Sequence, residues 1–465
     1  MDMYRKRDRD QLRIEDFYLP FGGKLKSDNR WVKLAGMMPW DFIEDVYAES
    51  MSEDEGAPAN SSRIAFGAQY IKENENLTDE RTVEYIAENP YAQYFLGLHA
   101  FTDKPLFDPS LMVHFRKRFP ADKVEEINKR IFAATQKKDG SDDGQPPENP
   151  SNSGKLVLDA TVAPADIRYP SDLSLLNEAR ENTEQMIEEL WARGNKKGHK
   201  TRYQRKKARS QYLSIAKQKK PKASRTRNAV KQQLRYVKSN IETIGDLLLE
   251  TGPEALPEKR LNRLMTICQL YRQQYAMYIG KNHQCENRIV SLRQPHIRPI
   301  VRGKAGKRFE FGQKLALSVV SGYTFIERQS FDNFNEGISL IESVERYKRT
   351  YGCYPEVVQA DQIYRTRDNL AYCKRWGIRL SGPRLGRPGK DSACDRELEY
   401  RDRCERNVIE GRNGMAKRRF GLDLIMAFLP ETALTEAAFQ ILCMNIRIWL
   451  LRLFLRLFFP LRAFA

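Results

Sequence analysis

Three carboxylates stand where they could share a cation. Asp159 closes the apolar run KLVLDAT, and Asp361 closes PEVVQAD. Glu410 lies in RNVIEGRNGMAKRRFGL, four residues after Arg406 and seven before Lys417. If the three converge they cannot all stay ionised without a positive charge between them. A site made only of oxygen ligands selects a hard ion, Mg²⁺ or Mn²⁺. Two such ions roughly 4 Å apart can activate a water or a sugar hydroxyl and stabilise the leaving oxygen of a phosphodiester. The softer alternatives are poorly served. The five histidines are scattered, and the seven cysteines, odd in number, contain no CxxC pair, which fits reduced thiols rather than zinc or a disulfide framework.

The spacing around Glu410 has a geometric meaning. At about 100° per residue, offsets of −4, 0 and +7 fall on one helix face, so Arg406, Glu410 and Lys417 point the same way, with Gly414 among them. Glu410 would hold an ion, the two cations would contact phosphates on either side, and Gly414 would leave room for a backbone to approach. Plainer readings exist. Glu410 could pair with Arg406 on a solvated face. Glu405 is the rival acid and would point elsewhere. Asp159 and Asp361 could be ordinary turn residues at strand ends.

The elements that must position these residues follow from periodicity. Residues 1–135 read as helical. DERTVEYIAENPYAQYFLGL splits at Pro90, and DPSLMVHFRKRFP opens with Asp108 as N-cap and Pro109 at the first helical position. That helix ends on Arg116, Lys117 and Arg118, a basic terminus suited either to a DNA-reading helix or to an ordinary small bundle. Residues 136–154, rich in Gly, Pro, Ser and Asp, are a linker. After the first strand comes the amphipathic SDLSLLNEARENTEQMIEELW. Two seams then follow: Val230, Leu234, Val237, Ile241, Ile244 and Leu248, and after a Gly/Pro turn Leu261, Leu264, Cys268, Tyr271, Tyr275 and Tyr278. They predict an antiparallel helical hairpin. Beyond it, KLALSVV and YTFIERQSF flank Ser321-Gly322 as a strand pair, followed by helix, strand, helix, short strand and helix.

Apart from the helical insert, this is the element order of an RNase H-like α/β fold, a mixed sheet with flanking helices in which the first and fourth strands end side by side. The expected domains are a helical DNA-binding region over 1–135, a linker over 136–154, a catalytic domain over 155–430 interrupted by a helical insertion at 172–295, and a C-terminal helix over 431–465.

Charge suggests a partner. The chain has 79 Lys and Arg against 61 Asp and Glu, a net +18. From Arg193 to Lys238 there are eighteen basic residues and no acidic one, so that block accounts for the whole excess. A polyanion is the natural ligand, nucleic acid ahead of anionic membrane, and Arg205, Lys206, Lys207 and Arg209 are expected DNA contacts. A solvated helix face is the plainer alternative. The N-terminus has no apolar stretch of signal-peptide length. The tail FQILCMNIRIWLLRLFLRLFFPLRAFA is apolar, but Asn445, Arg447, Arg452 and Arg456 interrupt it. Each arginine would cost about 3 kcal/mol at the centre of a bilayer. The tail is therefore expected to pack on the protein's own core and to continue as an Arg/Leu amphipathic end, with a membrane-surface role as the alternative.

Taken together, these segments resemble the DDE transposases of bacterial insertion sequences, in the group that includes relatives of insertion sequence 5. FLGLHAFTDKPLFDPSLMVHFRKRF resembles the family's N-terminal helical domain, LVLDATVAPADIRYPSDLSLLNEARE its first-Asp segment, and VVQADQIYRTRDNLAYCKRWGIRLSGPRLGRP its second-Asp segment. RNVIEGRNGMAKRRFGL is similar to the Arg-x3-Glu-x6-Lys part of its Tyr-x2-Arg-x3-Glu-x6-Lys signature. The resemblance implies Asp159, Asp361 and Glu410 as the catalytic, metal-holding triad. It implies two Mg²⁺ ions, with Mn²⁺ plausible, and DNA partners in the form of terminal inverted repeats and a target. It also implies a homodimer holding two ends, in the cytoplasm on nucleoid DNA, with no membrane. This chain departs from the pattern in three places. Arg403 occupies the signature tyrosine's position, with Tyr400 one turn earlier as a stand-in contact to DNA. Gln362 stands where Arg is common, and the long insert follows the first strand. A catalytically decayed or non-enzymatic DNA-binding protein, and a Mg²⁺-dependent nuclease without strand transfer, are the alternatives.

Overall fold

The computed structural model describes residues 4, 6, 12–20, 22–52, 58–137, 151–193, 204–301, 309–382 and 393–458. Most of the expected linker, the start of the basic block, the loop before the Glu410 helix and the end of the tail lie outside the described residues, as does the side chain of Arg456.

Among the described residues, seven α-helices come first: α1 (Arg30–Met37), α2 (Trp40–Ala48), α3 (Ser62–Glu75), α4 (Asp79–Glu88), α5 (Pro90–Phe95), α6 (Leu111–Arg118) and α7 (Ala121–Lys137). Then come β1 (Lys155–Pro164), α8 (Asp172–Arg193), α9 (Arg205–Ala216), α10 (Ala223–Thr251), α11 (Glu258–Gly280), β2 (Arg298–Val301), β3 (Phe309–Val320) and β4 (Tyr323–Ser330). The chain ends with α12 (Ser339–Tyr351), β5 (Val357–Gln359), α13 (Arg367–Arg375), β6 (Arg379–Leu380), α14 (Ala393–Phe420) and α15 (Pro430–Phe458). It clusters into two units, one of residues 1–164, 313–330 and 334–465, the other of 165–312 with 331–333.

In the first unit the strands lie in the order β4-β3-β1-β5-β6. β3 and β4 are antiparallel, while β5 runs parallel to both β1 and β6, so the sheet is mixed. The β3–β4 connection is the expected two-residue turn. Ser321 and Gly322 both have positive φ, 50° and 80°, and Val320 faces Tyr323 across it. That is the left-handed pair a tight hairpin needs. β1 outruns the sequence expectation: Asp159 sits mid-strand, because Ala160–Pro164 stay extended.

The N-terminal helices pack on one another, α1 on α5, α2 on α3, and α3 on α4 and α6. α3, α6 and α7 pack on α15, and α7 and α15 pack on β4. This explains the awkward tail. α15 is long and apolar enough over Pro430–Leu455 to cross a membrane by length and composition, yet 56% of its apolar window is buried inside the protein. Two of the polar residues that interrupt it, Asn445 and Arg452, have partners. Asn445 is fully buried; its amide donates to the Thr324 carbonyl and to Asn128, and its oxygen accepts from the Thr324 N–H. Arg452 lies over the Tyr323 ring, 4.6 Å from its centre, and donates to the Ser321 carbonyl.

Two expectations at the N-terminal helices are corrected. Asp108 accepts from the Ser110 N–H and closes a turn, so α6 starts at Leu111 and not at Pro109. Arg116 is not available to DNA: it is 5% exposed and paired with both Asp79 oxygens at 2.8 and 2.7 Å. A guanidinium removed from water needs that bidentate partner. Lys117 lies 3.8 Å from Glu431 and remains half-exposed, and Arg118 sits over the Tyr47 ring at 5.9 Å.

The second unit is a helical bundle in whose larger core Leu175, Leu176, Met186, Ile187 and Leu190 of α8 meet Leu234, Val237 and Ile244 of α10 and Ile267 and Leu270 of α11; a smaller cluster joins Leu173, Tyr212 and Ala229. The predicted α10 seam lies in that core. The α11 seam holds in part: Leu261, Leu264, Tyr271 and Tyr278 pack against that core, but the most deeply buried residues are Ile267, Leu270, Gln274 and Met277, and Tyr275 is 49% exposed. The reason is the third helix. A helix touching two neighbours buries a wider, rotated stripe than one in a two-helix seam.

Candidate metal and nucleic-acid site

Sheet pairing brings the two aspartates together. β1 and β5 run in register as Lys155↔Val357, Leu156↔Val358 and Val157↔Gln359. Carried two residues further, that offset sets Asp159 beside Asp361, and alternation turns both toward the face occupied by Gln359. β5 itself ends at Gln359. Asp361 begins the next turn, its carboxylate accepting from the Gln362 N–H at 2.8 Å.

The helix carrying Glu410 is fastened across this face. Upstream of the site, Gln359 donates to Glu405 at 2.6 Å and to Asp402 at 3.2 Å, Lys155 pairs with Glu405 at 2.7 Å, and Arg379 grips both Asp402 oxygens at 2.5 and 2.9 Å. Hydrogen bonds from Lys155 and Gln359 hold the Glu405 carboxyl below its ordinary value. Burial pushes Asp402 up, but its pair with Arg379 more than reverses this and leaves it lowered. Glu405 is thus part of the clamp. Two turns on, Ile409, Ala416 and Phe420 are buried, α14 packs on β1, and Glu410 is exposed.

Arg406 joins the set. Its guanidinium reaches Asp361 at 3.7 Å and Glu410 at 3.9 Å, with only 22% of its side chain exposed against 60% for each acid. The Asp159 carboxyl is pushed up to about 6. Burial is the main cause; the Ala160 N–H opposes it, nearby Glu336 adds to it, Arg406 offsets it and Asp361 adds again. Sequence reasoning missed two residues here. Asn413 donates to Asp159 at 3.3 Å and leaves its own Oδ1 buried without a partner. Seven residues after Arg406, it shares the helix face, and that spacing could have revealed it. Glu336, paired with Lys314 at 2.8 Å, lies in a one-turn helix that gave no signal.

Among the described residues, no three His, Cys, Asp or Glu side chains are gathered closely enough to hold a metal ion as they stand. The donor chemistry nevertheless fits a hard divalent ion: carboxylates only, one of them half-buried and short of positive charge, beside an amide oxygen with nothing to accept from. Like-charged carboxylates are not held together without a cation, and Arg406 is the cation that two of them share.

The other expected contacts lie elsewhere. Lys417 is half-buried, Tyr400 is 67% exposed, and the Arg418 guanidinium lies against Gly414, 3.1 Å from where a Cβ would stand. Arg116, Lys117 and Arg118 belong to α6. In the second unit Arg205 is paired with Glu184 and Glu188 at 3.2 and 3.0 Å, whereas Lys206, Lys207 and Arg209 are exposed on α9.

Residues 358–447, which contain Asp361, Arg406, Glu410 and Lys417, match the family described as Transposase DDE domain. Residues 20–118 match Transposase domain (DUF772). The chain is similar to the "Uncharacterized protein ORF8 in nfe locus" of Rhizobium meliloti, 32% identical over 144 residues, a match covering 31% of this chain and 66% of that one. No solved structure matches. The chain thus carries two transposase domains in order, the second of them a transposase DDE domain.

Proposed function

We propose that this transposase binds the inverted repeats of its element, cleaves DNA at the element's ends and joins the freed 3′ ends to target DNA, with Asp159, Asp361 and Glu410 as its metal-holding catalytic residues. The sheet is read as RNase H-like, because its order β4-β3-β1-β5-β6 puts the first and fourth strands of that fold side by side at the centre. The observation that carries the reading is the β1–β5 register, which aligns Asp159 with Asp361 under the helix that bears Glu410. Divalent ions, Mg²⁺ or Mn²⁺, would supply a reactive hydroxyl at neutral pH and stabilise the departing 3′ oxygen. Asp159, Asp361 and Glu410 would bind them, and Asn413 would hold Asp159 in place. Arg406, released from the two carboxylates, would turn to a phosphate together with Lys417.

Affinity is assigned to the exposed cations Lys206, Lys207 and Arg209 and to the rest of the basic block, with base contacts adding sequence choice. The working form is read as a homodimer holding two ends, acting in the bacterial cytoplasm on nucleoid DNA and not at a membrane. A second reading, a non-catalytic end-binding protein, draws on Arg406 filling the space between Asp361 and Glu410.

The test is cleavage of a plasmid bearing the DNA that flanks the gene, in Mg²⁺. The wild type should cut at the repeat ends. Asp361→Asn and Glu410→Gln should abolish cutting and retain binding in a gel shift. Wild-type rates in both variants would overturn the site, and binding without cutting by the wild type would favour the second reading.

A further inference from the structure

The helical unit of residues 165–312 contains a cleft of about 910 Å³ that the cleavage chemistry does not use. Its lining is aromatic and cationic. Tyr169 is 74% exposed there, held edge-on to the Phe311 ring at 5.7 Å. Tyr278 also lines it, with the Arg227 guanidinium 4.3 Å from its ring centre and donating to its carbonyl at 2.9 Å. Arg168 donates to the Tyr212 hydroxyl at 3.4 Å. Asp172 is the one carboxylate among the described lining residues, and it is already engaged by Arg288 at 2.7 Å, Gln274 at 3.0 Å and His283 at 3.3 Å. The remaining charge in the cleft is therefore positive. Its rim is more so: Gln218, Pro221 and Ala223 line the cleft, and the exposed Lys217, Lys219, Lys220 and Lys222 alternate with them along the chain.

We infer that this cleft binds single-stranded DNA, with bases stacked on its tyrosines and phosphates on its rim. The inference rests on the reading that the chain acts on DNA. A duplex presents phosphates outward and keeps its base faces paired and stacked, so exposed aromatic rings gain little from it. An unpaired strand offers those faces, and a basic groove with aromatic walls is the physical complement of such a strand. The volume lies at the upper end of pockets that take small ligands, which suits a few nucleotides and is far too narrow for a double helix. Tyr169 has its ring anchored by Phe311, so little side-chain freedom remains to be lost when a base stacks on it.

The test uses the full-length protein without divalent ions, so that cutting plays no part. Fluorescence anisotropy compares a labelled oligothymidylate with a mixed-sequence duplex of equal length, and a second single strand carries 2-aminopurine as a stacking reporter. The wild type should quench 2-aminopurine on binding. Tyr169→Ala and Tyr278→Ala should each weaken single-strand binding about tenfold, the order expected for removing one stacked base. Duplex binding should be unchanged in both. Tyr169→Phe should behave as wild type, which separates loss of a stacking face from misfolding. Absence of quenching, or alanine variants that bind both DNA forms like the wild type or lose both equally, would overturn the inference. The plasmid-cleavage reading would still stand or fall on Asp361 and Glu410 alone.

Discussion

Asp159→Asn gives the sharpest physical test of the site, because it can be read without catalysis. Burial raises the Asp159 carboxyl from 3.8 to about 6. At 1.36 kcal/mol per unit, a shift of about two units means that keeping this group ionised costs the folded protein about 3 kcal/mol. The folded value lies above the unfolded one, so the folded state holds the proton more tightly. The cost is absent below the unfolded value near 4, grows as pH rises and is complete above about 6. Asparagine carries no charge and keeps an oxygen to accept from Asn413. In EDTA at pH 8 the variant should be the more stable by up to about 3 kcal/mol, and at pH 5 by about half of that. Urea unfolding at the two pH values measures both gaps. Millimolar Mg²⁺ should then raise the stability of the wild type and leave the variant largely unmoved, since only a ligand that binds the native state shifts the equilibrium. A gap that does not narrow between pH 8 and pH 5 would refute the burial argument, and equal Mg²⁺ stabilisation of both proteins would remove Asp159 from the ligand set.

Other substitutions separate neighbouring roles. Glu405→Gln, which loosens the clamp to Lys155, should cost no more than about 1 kcal/mol in unfolding and cut DNA nearly as well as the wild type, whereas Glu410→Gln should not cut; equal loss in both would mean that the wrong acid has been chosen. Arg116→Ala strands Asp79 and should cost about 3 kcal/mol or more in thermal or urea unfolding, with the salt dependence of DNA binding unchanged among the molecules that remain folded. Replacing Lys206, Lys207 and Arg209 together by Ala should weaken binding of all DNA sequences alike and reduce the slope of log K against log salt by up to about 3, roughly one for each phosphate left without its cation; an unchanged slope would place the grip elsewhere.

What the sequence made legible was whatever depends on neighbours along the chain. The Ser321-Gly322 hairpin, the break at Pro90 and the α10 seam are local patterns, and the structure contains them. What it hid depends on which elements meet. The α11 stripe was drawn too narrow because α8 also claims part of that helix and buries Ile267, Leu270, Gln274 and Met277, which a two-helix seam does not anticipate. Arg116 looked like an exposed cation because nothing local says that Asp79 lies across from it. The tail looked ambiguous until Asn445 met Thr324 and Asn128, distant residues that turn an apparent interruption of an apolar helix into a buried anchor.

The site divides along the same line. That Arg406, Glu410 and Asn413 share a face follows from helical geometry alone, and that each aspartate follows an apolar strand pattern follows from alternation. That the two strands are neighbours in the sheet, in a register that leads toward Asp159 and Asp361, is a property of the sheet and not of either segment. The same logic explains why Arg406 bridges two acids instead of facing outward. Asp361 and Glu410 would repel each other across the space between them, and the Arg406 guanidinium, within reach of both, answers that charge. On the proposed reading, a divalent ion held by Asp361 and Glu410 would take the place of that guanidinium, and Arg406 would then be free to meet a phosphate when metal and DNA bind together. If so, Arg406→Ala should tighten Mg²⁺ binding, measured calorimetrically, while weakening DNA binding in the presence of Mg²⁺. Weaker Mg²⁺ binding in that variant would show that Arg406 supports the ion instead of standing in for it.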